Sequence, residues 1–239
     1  MSISPAHPDG AAAHVRQHLS PLAAPEKRLL IWIARRLPRW TTSDQLSLLG
    51  LLSMLGAALG FAAIRLSPWA AVAVVLCLAL NWFGDSLDGT LARVRGQQRP
   101  RYGYYVDHVI DLAGTALLMT GLAVSGAMTP AVAISVLAAY LLVCGEAYLA
   151  THASGVFRMS FAGFGPTELR LLLAAGAVKI AQTPWVEIGA LGSARLFDIG
   201  GLVAVAGLVT AFLIGALRNT RALYVEEPLP AVEAARSAA

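Results

Sequence analysis

The sequence predicts an all-α integral membrane protein, with six transmembrane helices preceded by an N-terminal interfacial amphipathic helix. Three observations predict it. The 239 residues are 57% hydrophobic and 13% charged, with a mean hydropathy of +0.64, where a soluble domain carries about 25% charged residues. Six apolar stretches are legible, at 46–64, 69–92, 105–127, 131–152, 167–182 and 199–217, most of them near the ~20 residues that cross hydrocarbon. The basic residues gather on one side of the layout these stretches define.

Taken in order, residues 1–24 are rich in Pro, Ala and His and have no apolar core of a cleavable signal. They are predicted to be a flexible tail. Residues 25–40 carry Leu29, Ile33, Leu37 and Trp40 at steps of three or four, with Lys27, Arg28, Arg35, Arg36 and Arg39 supplying charge. That pattern predicts a helix lying in the interface and drawn to anionic lipid. Trp32 and Trp40 favour the interface; the plainer alternative is a short solvated linker.

Residues 41–222 form the expected six-helix transmembrane catalytic domain. Ser67-Pro68 and Thr129-Pro130 are expected to turn the chain on one side of the membrane. The link 94–102, with Gly96 and Pro100, is short enough to predict antiparallel neighbours on either side of it. Segment 167–182 is the shortest, with Arg170 and Lys179 placed to snorkel toward opposite interfaces. Residues 223–239, rich in Ala, Pro and Glu, are expected to be a second flexible tail. Cys77 and Cys144 lie in apolar segments without metal-ligand spacing, as core packing would place them.

With the N-terminus in the cytoplasm, 15 of the 18 Lys and Arg residues fall on that side, and Arg65, Lys179 and Arg195 on the other. The positive-inside rule selects this orientation. Both termini and the active site are then expected to be cytoplasmic, in a bacterial inner (plasma) membrane.

Against this apolar background stand Asp85, Asp88, Asp107 and Asp111, with Arg93 between the pairs. Ionisable residues in such segments are costly and mark function by default. Asp85 and Asp88 are three apart and share a helix face; Asp107 and Asp111 are four apart and share another. Hard carboxylate oxygens suit Mg²⁺ or Mn²⁺, and four at one site suggest two ions acting on a phosphoryl group. Gly89, Ala92 and Gly103 lack bulk, so a ligand can approach the backbone there, and the Arg93 fork suits phosphate oxygens. The plain alternative, acids pairing with arginines to hold helices together, leaves most of the negative charge unpaired.

Residues 85–111 resemble the signature of the CDP-alcohol phosphotransferase (phosphatidyltransferase) family, D-x2-D-G-x2-A-R-x8-G-x3-D-x3-D. Every fixed residue is present, and the spacer between Arg93 and Gly103 has nine residues instead of eight. The resemblance implies transfer of a substituted phosphate from a CDP-linked donor to an alcohol, releasing CMP, in phospholipid biosynthesis. It implies Asp85, Asp88 and Asp107 as metal ligands, with Asp111 a further ligand or the base. Gly89, Ala92, Arg93 and Gly103 would contact the CDP moiety together with these acids. It also implies a homodimer and Mg or Mn as cofactor, two ions per site. One of the two substrates would be a lipid. Membrane phospholipids are the expected surroundings, and no nucleic acid is expected as a partner.

Asp107-His108-x-x-Asp111, Glu146-Ala147-Tyr148 and Gly165-Pro166-Thr167-Glu168 resemble the CDP-choline/CDP-ethanolamine branch of that family, with Val109 where the branch has glycine. On that resemblance His108 is a candidate base for a diacylglycerol hydroxyl; an interfacial His bonded to a neighbour is the plain alternative. Glu146 is a candidate for the cationic head group, or else pairs with an Arg or His152. Glu168 and Arg170 are candidates for the acceptor site, or else pair with each other. The other branch joins CDP-diacylglycerol to a small polar alcohol; Arg158 and Arg170 are then the candidates for an acceptor phosphate. Two further readings use the same acids: an intramembrane prenyltransferase with Asp-bound Mg-diphosphate, and a non-enzymatic cation transporter. The first would be expected to separate its Asp-rich motifs, and the second leaves the glycines and Arg93 unexplained.

Overall fold

A computed structural model describes residues 23–154, 166–189 and 192–227. Among these, seven α-helices and one short hairpin form: α1 (Ala23–Ala34), α2 (Ser43–Ala62), α3 (Trp69–Val94), α4 (Pro100–Val124), α5 (Pro130–Ser154), α6 (Pro166–Gln182), β1 (Trp185–Glu187), β2 (Ser193–Arg195) and α7 (Leu196–Glu226). The strands pair antiparallel, Val186 opposite Ala194, and Gly189 and Gly192 carry the positive φ of the turn between them.

The boundaries follow local chemistry. Thr42 caps α2 in a reciprocal box: its hydroxyl accepts from the Gln45 amide at 3.2 Å, and the Gln45 side chain accepts from the Thr42 amide at 2.9 Å. Past the end of α3, Gly96 takes the left-handed conformation (φ 64°) that stops a helix. Pro100 then opens α4 at a position that needs no amide donor.

Helices in lipid associate through close packing of small residues, and that packing decides the arrangement here. A Cβ on Gly84 of α3 would stand 2.7 Å from the Gly50 amide of α2, and one on Gly121 of α4 would stand 2.6 Å from Ala58 Cα. Helix α2 therefore lies against both α3 and α4. Among the described residues α3 and α4 make little close approach to each other. The short link was expected to make them direct neighbours; the glycine contacts insert α2 between them instead. Ala57, Phe61, Val74, Leu78, Leu118, Leu122, Ala177 and Ile180 form the main buried cluster of α2, α3, α4 and α6. A smaller cluster joins Leu30 and Ala34 of α1 to Leu46, Leu87 and Leu91.

Five helices, α2, α3, α4, α5 and α7, are long and apolar enough to cross a membrane. The expected fifth span appears as α6, whose 17 residues extend about 25 Å. Its start meets α1 and α3, where Thr167 and Arg170 bond Glu26 and Asp85. Toward its other end Gly176 packs on Phe197 of α7, close to where Asp198 accepts both the Thr129 amide and hydroxyl at 2.6 Å. Helix α1 ends at Ala34, short of the expected residue 40, because the chain turns there and Arg95 donates to the carbonyls of Leu37, Pro38 and Thr41. Helix α7 continues to Glu226, past the expected start of the C-terminal tail.

Candidate active site

The C-terminal end of α3 presents Asp85 and Asp88 on one face, both half-buried. The first turns of α2 reach them because Gly84 and Gly50 bring the backbones together. Ser47 Oγ donates to Asp88 Oδ2 at 2.6 Å, and Ser43 Oγ donates to the Asp88 carbonyl at 2.9 Å. The Gly89 amide donates to Asp88 Oδ1. Asp85 Oδ2 accepts from Arg170 Nη2 of α6 at 2.6 Å. The same guanidinium donates through Nε to Asn81 Oδ1 at 2.7 Å, and Asn81 Nδ2 donates to the Gly50 carbonyl at 3.0 Å. A chain of bonds thus runs from α2 through Asn81 and Arg170 to Asp85.

On α4, Asp107 lies near enough for its charge, with that of Asp85, to act on Asp88. Asp111 faces α5, where its charge reaches Tyr140, Cys144 and Tyr148. Three of the four expected ligands, Asp85, Asp88 and Asp107, are thus linked through their charges. Among the described residues no group of three or more His, Cys, Asp or Glu side chains is drawn together to hold a metal ion. The donor chemistry nonetheless fits Mg²⁺ or Mn²⁺: three carboxylates within electrostatic reach, all oxygen, with the Ser47 hydroxyl at their edge.

The other signature residues stand around these acids. Arg93 folds back along α3, donating to Thr90 Oγ1 at 3.0 Å, and a Cβ on Gly89 would press on its guanidinium at 3.3 Å. Ala92 is half-buried one turn on. Gly103 is exposed on the first turn of α4, with no atom within 4 Å of the position a Cβ would take.

His108 Nδ1 lies 2.8 Å from the Tyr104 carbonyl and 3.6 Å from Asp107 Oδ2. Its ring stacks obliquely on Tyr104 at 4.1 Å and meets the Tyr148 edge at 5.4 Å. It opens onto a cavity of about 400 Å³ lined by Tyr104, Tyr105, Val109, Leu112, Tyr148, Thr151 and His152. Among the described residues no carboxylate and no Lys or Arg lines it.

The acceptor candidates scatter. Arg170 joins the acid site, bonded to Asp85. Glu146 accepts from Asn219 Nδ2 at 2.6 Å on the α5–α7 face, so its partner is an amide on the last helix instead of an Arg or His152. Glu168 occupies the first turn of α6, and Arg158 lies outside the described residues. Asn81, Ser43 and Ser47 escaped the sequence reading. The available signal was Asn81 itself, an amide in an apolar run exactly one helical turn before Asp85.

Compared with known families, the sequence matches that described as CDP-alcohol phosphatidyltransferase over residues 40–218, a stretch holding every residue of the acid site. No curated protein matches the chain.

Proposed function

Because the chain belongs to the CDP-alcohol phosphatidyltransferase family, we propose that it transfers a phosphoaminoalcohol from CDP-choline or CDP-ethanolamine to the hydroxyl of diacylglycerol. The observation that carries this choice is the cavity beside the acids. Its wall, aromatic and without Lys or Arg among the described residues, suits a neutral lipid alcohol, whereas these residues would desolvate a phosphate-bearing acceptor without supplying a counter-charge.

His108 stands where the cavity meets Asp107. The Tyr104 carbonyl can only accept, so a neutral His108 carries its proton on Nδ1 and its lone pair on Nε2. His108 takes the proton of the acceptor hydroxyl as that oxygen bonds to the donor's aminoalcohol-bearing phosphorus. The bond from this phosphorus to the bridging oxygen breaks, and CMP departs with the electron pair. Asp85, Asp88, Asp107 and Asp111 would hold divalent Mg or Mn, two ions, which when bound would polarise the phosphoryl group and stabilise the departing oxygen. Asp111, whose charge reaches Tyr148, is the other candidate for the base. Gly89, Ala92, Arg93 and Gly103 form the side open to the CDP moiety.

In this reading α6 is a sixth span, since it runs between the same two ends as its neighbours, and α1 lies in the cytoplasmic interface with its Leu29 and Trp32, and Trp40 of the following turn, exposed to it. The site and both termini are cytoplasmic, and the protein works as a homodimer. A second reading, CDP-diacylglycerol with a small polar alcohol, is favoured by Arg170, whose fork suits an acceptor phosphate.

The test is CMP release by the purified protein in detergent, with each of the three donors and with or without each class of acceptor. Release from a CDP-aminoalcohol that requires diacylglycerol is expected. Release from CDP-diacylglycerol that requires a polar alcohol overturns the choice of branch, and no release from any donor overturns the reaction.

A further inference from the structure

We infer that Arg170 is an exchangeable counter-ion: it neutralises Asp85 in the empty site and transfers to the donor's diphosphate when a divalent cation binds. The inference rests on the reading of Asp85 as a cation ligand. It begins from a conflict within the site. Asp85 Oδ2 is held by Arg170 at 2.6 Å, yet an ion bound beside Asp85 would face the guanidinium's positive charge at close range. Both side chains are largely buried, at 15% and 24% exposure, so water screens that repulsion poorly. Among the described residues no group of three or more acidic, His or Cys side chains is gathered for a metal ion while this ion pair stands.

Arg170 is built to move without leaving the site. Its Nε is anchored on Asn81 at 2.7 Å, and Asn81, 6% exposed, is itself fixed to the Gly50 carbonyl. A guanidinium pivoting about that anchor keeps one bond while Nη2 leaves Asp85 for a phosphate oxygen. The planar fork of five donors suits both partners, which a lysine ammonium matches less well. Arg170 would thus oppose cation binding in the absence of nucleotide and favour nucleotide binding once the cation is present. These effects have opposite signs, whereas loss of a merely structural ion pair would weaken both.

The test uses the full-length protein in detergent, with Mn²⁺ binding read by electron paramagnetic resonance without nucleotide, and the donor KM read from CMP release. Arg170→Gln is expected to bind Mn²⁺ about tenfold tighter and to raise the donor KM about tenfold. Arg170→Lys, which keeps the charge, is expected to bind Mn²⁺ as the wild type does. Unchanged or weaker Mn²⁺ binding by Arg170→Gln overturns the exchange. Asp85→Asn serves to separate the premise: equal Mn²⁺ binding by it and the wild type overturns Asp85 as a ligand, and with it the inference.

Discussion

Gly84→Ala tests how far the chemistry depends on the spacing of two helices. Gly84 immediately precedes Asp85, and a Cβ there would stand 2.5 Å from the Leu46 carbonyl oxygen and 2.7 Å from the Gly50 amide nitrogen. Both obstacles are helix backbone and cannot swing aside. Restoring ordinary contact moves α2 from α3 by about 0.9 Å, an overpacking that costs about 1–3 kcal/mol. Such a shift lengthens the 2.6 Å bond from Ser47 to Asp88 to about 3.5 Å, beyond hydrogen-bond range. It also strains the Asn81 link that anchors Arg170. A 1 Å displacement of reacting groups is worth about 10² in rate, so turnover is expected to fall about 100-fold and Tm by several degrees. CMP release and a thermal melt in detergent measure the two. Gly207→Ala, where a Cβ would meet nothing within 4 Å, is the control: turnover should be unchanged and Tm equal or slightly higher. Native turnover and native Tm for Gly84→Ala would refute the claim that the glycine contact sets the site.

Three further predictions concern the site itself. Gly103→Ala meets no atom within 4 Å and should raise helix stability by up to about 1 kcal/mol, while its methyl group, in space read as the nucleotide's, raises the donor KM at least tenfold; an unchanged KM removes Gly103 from the CDP site. Asp107→Asn should abolish CMP release with the melting curve retained, and surviving turnover would overturn its place among the ligands. His108→Ala should lower turnover about 10²-fold at an unchanged Tm, and a near-native rate would pass the role of base to Asp111.

The acid signature was legible because charge is conspicuous in apolar sequence and its spacing maps directly onto helix faces. The helix pattern was legible for the same reason, five of the helices being long and apolar enough to cross a membrane, with α6 set apart by its length and its two cations. What the sequence hid were choices made between helices. Gly50, Ala58, Gly84 and Gly121 look like ordinary small residues of membrane segments, and only their pairing across helices shows why α2 separates α3 from α4. Arg170 lies 85 positions from Asp85, so no local period connects them; on the sequence its nearest acid is Glu168. Glu146 similarly finds Asn219, 73 positions away.

These hidden contacts share a consequence for the site. The signature places its carboxylates on two helices that scarcely touch, so how they stand relative to one another depends on residues outside the signature. Ser47 fixes one acid from α2, Asn81 and Arg170 fix another from α3 and α6, and α2 sets the distance across to α4. Substrate choice is therefore expected to vary through those supporting residues and the α4–α5 cavity while the signature stays constant. If the proposed acceptor is right, a chain that kept the signature but carried a charged residue at Tyr148 or Thr151 should use diacylglycerol poorly, as CMP release with that acceptor would measure. Arg170, bonded to Asp85 on α3 from its place on α6, is where the supporting frame meets the signature.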